Sequence, residues 1–238
     1  MEGAAKRAVR LDTPSLDAAG HMAMDEAVLD LAEPGSCYFR PYDWAGRPPH
    51  GATFGYFIPW AEADSRVKKR HPGRVVPMVR RPTGGGVVFH DGDLTFSFVF
   101  PWPRPLTPSL VYQSIHLGVQ AGLKMCGMAS RLCVKREERA DRTLCFAAPE
   151  PMDLTHADGG KFLGGALRRR REVGLYQGSL RPEGFSAPRE SLRRAIEEGL
   201  ALQWRTHFSA SEPGLETAAL ARRLEGERYR TEEWNKKR

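Results

Sequence analysis

Arg80-Arg81-Pro82-Thr83-Gly84-Gly85-Gly86-Val87-Val88-Phe89-His90-Asp91-Gly92-Asp93-Leu94-Thr95-Phe96-Ser97 is the stretch from which the rest of the chain is read. Two arginines run into a threonine and three glycines, and an apolar segment of period two follows. Glycine allows a positive φ and lets backbone N–H groups approach a ligand with no Cβ in the way. The arginines supply charge for a phosphate or a carboxylate. Most glycine clusters are only turns. Here the arginines, the internal threonine and the His90-Asp91 pair beyond it mark a ligand loop. The candidate binding residues are Arg80, Arg81, Thr83, Gly84, Gly85, Gly86, His90 and Asp91. A Walker A loop is excluded because no Gly-Lys-Ser/Thr follows the glycines. A dinucleotide fingerprint is excluded because they open no helical pattern.

Outward from the loop, residues 75–81 predict a strand that delivers the chain into the turn. Leu94, Phe96, Phe98 and Phe100 alternate with Thr95, Ser97 and Val99, and the near-absence of charge predicts a central strand. Upstream, Thr13-Pro14 is a helix-start signal, and Met24, Ala27, Val28 and Leu31 share one helical face. Pro34-Gly35 closes that helix. Strands follow at 37–44 and 52–58, and a short polar helix at 61–70. Downstream, Val111, Ile115, Val119 and Gly122 predict a helix over 109–125. Short strands are expected at 128–134, 143–147, 152–156, 161–168 and 172–181, then helices at 189–203 and 213–224. The charged tail is expected to fray. Strands and helices without βαβ alternation give an α+β fold of mixed, largely antiparallel sheets flanked by helices. One domain spans 1–238, with a core over about 13–205 and a helical, charged tail over 206–238.

Apolar content of 41% and charged content of 27% fit an ordinary globular chain. The net charge of +7 suits an acidic protein partner. Nucleic acid is disfavoured because no aromatic residues interleave the basic runs at 68–70 and 168–171. Cys37, Cys126, Cys133 and Cys145 form no CxxC pair, so reduced thiols in a cytoplasmic protein are expected. Residues 1–12 have no apolar signal core, and no stretch is long enough to span a membrane. His90, His116, His156 and His207 are too dispersed for a metal motif.

A second candidate is Asp158-Gly159-Gly160-Lys161-Phe162-Leu163-Gly164-Gly165-Ala166. By composition it fits a surface hairpin with a solvated lysine. Yet a lysine between glycine pairs can also reach inward and stabilise an oxyanion or a phosphate. A third is Cys145, which among Leu144, Phe146 and Ala147 reads first as a small buried hydrophobe. As a nucleophile it would need a nearby cation to lower its pKa.

Together these residues resemble the lipoate–protein ligase and octanoyltransferase family, the lipoyl branch of the biotin–lipoyl ligase superfamily. The likeness rests on the 80–97 stretch, on Gly160-Lys161 with Gly164-Gly165-Ala166, and on Gln177-Gly178-Ser179-Leu180. His21-Met22-Ala23-Met24-Asp25-Glu26 resembles the family's N-terminal helix signature, and Arg40, Tyr42 and Trp44 the strand beyond it. The resemblance runs from about residue 15 to residue 182. It implies a biotin/lipoyl-ligase-like catalytic domain, with Gly164, Gly165 and Ala166 joining the substrate-binding residues and Lys161 catalytic. Three positions depart from the family pattern: His21 stands for Asn, Ile58 for Gln and Leu167 for Gln.

Within the family the implied chemistry divides. Ligases activate lipoate with ATP and Mg. Octanoyltransferases need no cofactor, take octanoate from acyl carrier protein and hold it on a cysteine. Cys145-Phe146 with Pro149, sixteen residues before Lys161, resembles the nucleophile loop of octanoyltransferases that are ligase-like in sequence. The 58 residues after Leu180 leave little room for the closing domain of many ligases. The implied acceptors are lipoyl domains of 2-oxoacid dehydrogenases or the glycine cleavage H protein. Three readings stay open: an octanoyltransferase or the related lipoyl-domain amidotransferase, an ATP-dependent ligase, and a non-catalytic acyl- or lipoyl-domain-binding member. The transferase reading places the chain in an apolar slot floored near Phe96 and Phe98, with His90 as one candidate base.

Overall fold

The computed structural model describes residues 6–134 and 149–238. Its first half runs β1 (Ala8–Leu11), α1 (Ala18–Leu31), β2 (Cys37–Pro41), β3 (Ala52–Phe54), α2 (Trp60–Arg70), β4 (Met78–Arg80), β5 (Val87–Phe89), β6 (Leu94–Pro101) and α3 (Pro108–Met125). The second half runs β7 (Arg131–Leu132), β8 (Leu154–Thr155), β9 (Lys161–Arg170), β10 (Val173–Leu180), α4 (Arg189–Gln203), β11 (Ser209–Ser211), α5 (Leu215–Leu224) and α6 (Glu232–Asn235). Among the described residues an eight-stranded sheet has the order β11-β1-β2-β6-β10-β9-β8-β7, and a three-stranded sheet the order β4-β3-β5. The large sheet is antiparallel from β2 to β7 and parallel where β1 meets β2 and β11. This is the α+β arrangement expected from the sequence.

The alternation along β6 decides what each face of the large sheet meets. Phe96, Phe98 and Phe100 pack with Val111, Ile115 and Val119 of α3, with Ile196 and Leu200 of α4, and with Trp204 and Phe208. Val99 points the other way, into a cluster with Val9, Met24, Val28 and Leu175 under α1. The two covering helices approach closely because they meet at glycines. A Cβ on Gly122 would collide with the Ala195 carbonyl, and one on Gly199 with that of Gly118. The small sheet has its own cluster with Ala63 and Val67 of α2, and its Val79 packs against Ala19 and Met22 of α1.

Two expectations are corrected and a third is untested. Helix α1 starts later than Thr13-Pro14: Asp17 is the N-cap and accepts from the Gly20 N–H at 2.9 Å. Thr13 instead accepts a hydrogen bond from Arg40 at 3.3 Å. The tail does not fray. It adds β11 to the sheet beside β1, lays α5 on α1, and passes through a π-helical turn over Glu225–Tyr229 into α6, burying Tyr229 and Asn235. A charged sequence concealed this because Tyr229 and Asn235 find polar partners far away in the chain. The strand expected at 143–147 lies outside the described residues.

Candidate active site

The glycine loop joins β4 to β5 between the two sheets. Gly85 has φ +85°, a left-handed conformation that favours glycine. Gly55 lies so close that a Cβ there would strike the Gly85 carbonyl, and the Tyr56 N–H donates to Thr83 O at 2.8 Å. Arg81 folds over the inside of the loop and donates to Thr53 Oγ1 (3.0 Å), Gly84 O and Gly86 O (both 2.9 Å). Arg80 points behind it. Its guanidinium donates to the carbonyls of Tyr56, Ile58, Trp234 and Asn235 at 2.7–3.2 Å. The reading of Arg80 as charge for a ligand is therefore corrected: it braces the loop against the chain.

A cleft opens on the inner side of the loop. Its walls are Met22, Tyr42, Thr53, Arg81, Gly85, Val88, His90 and Thr95, with Gly164, Gly165 and Ala166 of β9 and Gln177, Gly178 and Ser179 of β10. Two separate sequence motifs thus form opposite walls of one cavity. The cleft is narrow and partly open to solvent, with about 30 Å³ available to the centres of water molecules. Phe96 and Phe98 are not its floor, because the period of two sends them to the α3–α4 side. Thr95 of β6 faces the cleft instead.

His90 and Asp91 separate. His90 is buried, with Nδ1 2.9 Å from Asp93 Oδ2, Nε2 2.9 Å from Thr53 Oγ1, and its ring stacked on Trp44. Both nitrogens are engaged, so His90 braces the cleft wall rather than serving as the base. Asp91 turns outward to Arg70 and His71, each 3.6 Å away, which removes it from the site. The buried carboxylate is Asp93, absent from the expected residues. Burial opposes its ionisation, but His90 and the hydroxyls of Ser179 and Thr95 together hold it below the usual carboxylate range. Its spacing of three from His90 was the available signal.

Lys161 reaches inward. Its side chain is 4% exposed, and Nζ lies 2.7 Å from Asp153 Oδ2. Tyr112 of α3 donates to Asp153 Oδ1 at 2.6 Å and accepts from the Gly165 N–H at 3.0 Å, while the Glu150 N–H donates to Asp153 Oδ2 at 2.7 Å. The glycines of β9 exist for space. A Cβ on Gly164 would occupy the position of the Lys161 head, and one on Gly165 that of the Tyr176 ring. The ammonium is thus packed directly against a residue of the cleft wall. Asp153, Tyr112, Tyr176 and His116 (Nε2 2.7 Å from the Tyr176 hydroxyl) were not legible as site residues. Only the spacing of four between Tyr112 and His116 hinted at a shared face. Cys145 lies outside the described residues.

Beneath the loop runs a buried polar chain. Thr83 donates to Gln177 Oε1 (2.6 Å), Gln177 to Asp25 Oδ2 (2.7 Å), and Arg40 pairs with Asp25 while contacting His21 Nδ1 at 3.1 Å. Of the three departures from the family pattern, none places its side chain on the cleft. His21 stacks on Tyr42, Leu167 packs into the α3–α4 core, and Ile58 joins the small-sheet cluster. Burial, reinforced by the Arg40 charge, pushes His21 down to about 2, and burial pushes His116 down to about 3. Both stay neutral when folded but take up protons near 6.5 when unfolded. Their contribution is complete above that value and is lost as pH falls. His21→Asn is expected to reduce the proton uptake on unfolding at about pH 5 by roughly one. Denaturant titrations across pH measure this, and an unchanged slope would refute it.

The arginine run at the β9–β10 hairpin is largely occupied within the chain. Arg168 donates to Pro82 O at 3.1 Å, Arg169 covers the Trp102 ring, and Arg170 pairs with Asp30 of α1. Among the described residues no group of His, Cys, Asp and Glu is arranged to hold a metal ion, and no helix is long and apolar enough to cross a membrane.

Residues 17–197 match the family described as the lipoyl protein ligase A/B catalytic domain. The octanoyltransferase LipM of Geobacillus kaustophilus is 34% identical over 183 residues, 71% of this chain and 63% of that protein. The chain thus spans a little under two thirds of that relative. The octanoyltransferase LipM of Carboxydothermus hydrogenoformans is 29% identical over 265 aligned positions, covering 94% of this chain and 96% of that protein. Among solved structures, lipoate-protein ligase A bound with ATP superposes with a TM-score of 0.80 at 21% identity, covering 97% of this chain and 98% of the other. At that identity the likeness is one of fold.

Proposed function

The chain belongs to the lipoyl protein ligase A/B catalytic-domain family, and from that premise we propose that it is a cytoplasmic octanoyltransferase acting as one catalytic unit. It moves an octanoyl group from acyl carrier protein to a lysine of a lipoyl domain, with no nucleic acid or membrane involved. The observation that carries the reading is the Lys161 ammonium, held by Asp153 against Gly164 at the wall of a cleft whose opposite wall is the glycine loop. A cation fixed beside a slot suits acyl transfer, in which a carbonyl oxygen becomes an oxyanion. The relatives named octanoyltransferase support the same direction.

In this mechanism the Cys145 thiolate adds to the carbonyl of the carrier's thioester. The carrier thiolate leaves and takes the proton that Cys145 lost, so an enzyme thioester forms. The lipoyl-domain amine then adds to that thioester. An amide forms, the Cys145 thiolate departs, and the amine proton leaves with it or to solvent. Lys161 and the loop N–H groups stabilise each tetrahedral oxyanion. The transfer requires neither ATP nor Mg, whereas a ligase would require both. Apo lipoyl domain offered octanoyl-acyl carrier protein, or octanoate or lipoate with ATP and Mg, separates the two by product mass. Modification only from the carrier is the expected result. Modification only with ATP would make the chain a ligase, and modification from neither donor a non-catalytic binder.

A further inference from the structure

The segment over 225–235 lies beyond the family match, yet it holds the loop that the family match contains. Asn235 Oδ1 accepts from the Arg80 backbone N–H at 2.8 Å, and Trp234 Nε1 donates to Arg80 O at 2.9 Å. The Arg80 guanidinium returns two hydrogen bonds, to Trp234 O and Asn235 O. Asn235 is fixed in turn by donating to the carbonyls of Tyr229 and Thr231 at 3.0 and 2.9 Å. The π-helical turn ahead of it presents Tyr229 and Arg228 to Glu26 Oε2, each at 2.7 Å. Widened turns of this kind re-aim side chains that a regular helix would direct elsewhere.

Glu26 adjoins Asp25, and Asp25 holds the far end of the same loop through Gln177 and Thr83. Arg168, 4.0 Å from Glu26, also donates to Pro82 O between those two points. Residues 80, 82 and 83 are therefore all tied to one buried acidic pair on α1, and among the described residues the link to residue 80 runs through the C-terminal segment. We propose that Trp234 and Asn235 are positioning residues for the acyl-binding loop, forming a strap that sets the loop's order and hence its affinity for the acyl donor. The consequence for the donor rests on the transferase reading above; the ordering of the loop does not.

Trp234→Phe removes one hydrogen bond to Arg80 while leaving an aromatic ring beside Tyr56 and Tyr229. Asn235→Leu removes the other, together with the bonds that Asn235 donates to Tyr229 and Thr231. Backbone amides over 81–86 are expected to exchange with solvent about tenfold faster in Trp234→Phe, the factor that one ordinary hydrogen bond supplies, and faster still in Asn235→Leu. Amides of β6 and β10 should be unchanged. kcat/KM for octanoyl-acyl carrier protein should fall by a similar factor, because the same loop receives the acyl end and donates to the oxyanion. Unchanged exchange over 81–86, acceleration spread equally through β6 and β10, or an unchanged kcat/KM would each overturn the proposal. Were the wild-type chain to transfer no octanoyl group, the transferase reading would fail, and the exchange measurement alone would still decide whether the strap orders the loop.

Discussion

Lys161→Ala is expected to slow octanoyl transfer by about 100–1,000-fold, the range seen when one preorganised oxyanion donor is removed. The reason is geometric. Asp153, Tyr112 and the absent Cβ of Gly164 hold the ammonium in one place, so little reorganisation is needed as negative charge develops on the substrate. The same substitution leaves Asp153 buried without its cation, a loss of about 3–5 kcal/mol in comparable pairs. Stability and catalysis must therefore be separated. The double variant Lys161→Met with Asp153→Asn removes both charges, keeps the volume, and should recover most of the thermal stability. Its transfer rate should remain as low as that of Lys161→Ala. Recovery of transfer together with stability would make the pair structural and remove Lys161 from the chemistry.

Cys145→Ala is expected to abolish transfer and, with it, any hydroxylamine-labile acyl-enzyme formed from octanoyl-acyl carrier protein. The expectation rests on the resemblance of Cys145-Phe146 and Pro149, ahead of Lys161, to the nucleophile loop of ligase-like octanoyltransferases, and on the other thiols. Cys37 is fully buried, and burial pushes its thiol up to about 12, which leaves no useful thiolate at neutral pH. Cys126 is exposed on the turn after α3, and Cys133 is half-buried just after β7. Intact-mass measurement of wild-type protein with the donor alone should show one acyl group, and peptide mapping should place it on Cys145. An alanine variant that modifies a lipoyl domain at the wild-type rate would sink the thioester mechanism. An acyl group mapped to Cys126 or Cys133 would overturn the assignment of the thioester to Cys145.

Local signals sufficed wherever an element's partners lie along its own length. The apolar spacing of Val111, Ile115 and Val119 placed α3, and Leu192, Ala195, Ile196 and Leu200 placed α4. The alternation at Leu94–Pro101 marked β6 as a central strand, and the observed sheet order sets it between β2 and β10. The motifs divide. The glycine loop was readable as a ligand loop from its own residues, whereas Gly164-Gly165-Ala166 read by composition as a surface hairpin and joined the substrate-binding residues only through the family resemblance.

What the sequence by itself determined was the inventory: which residues share a face, where the chain must turn, and which motifs carry chemistry. The tertiary structure alone decided their partners. A period of two fixes that Phe96 and Phe98 share a face, but not that this face meets α3 rather than the cleft. Arg80 beside three glycines carries the charge of a ligand contact until Trp234 and Asn235, more than 150 residues away, supply the carbonyls that occupy it. Asp153 has no motif at all, and acquires meaning only when β8 pairs with β9 and sets it against Lys161. Buried charges and amides must find partners, and the chain meets that demand across distances over which local sequence carries no signal.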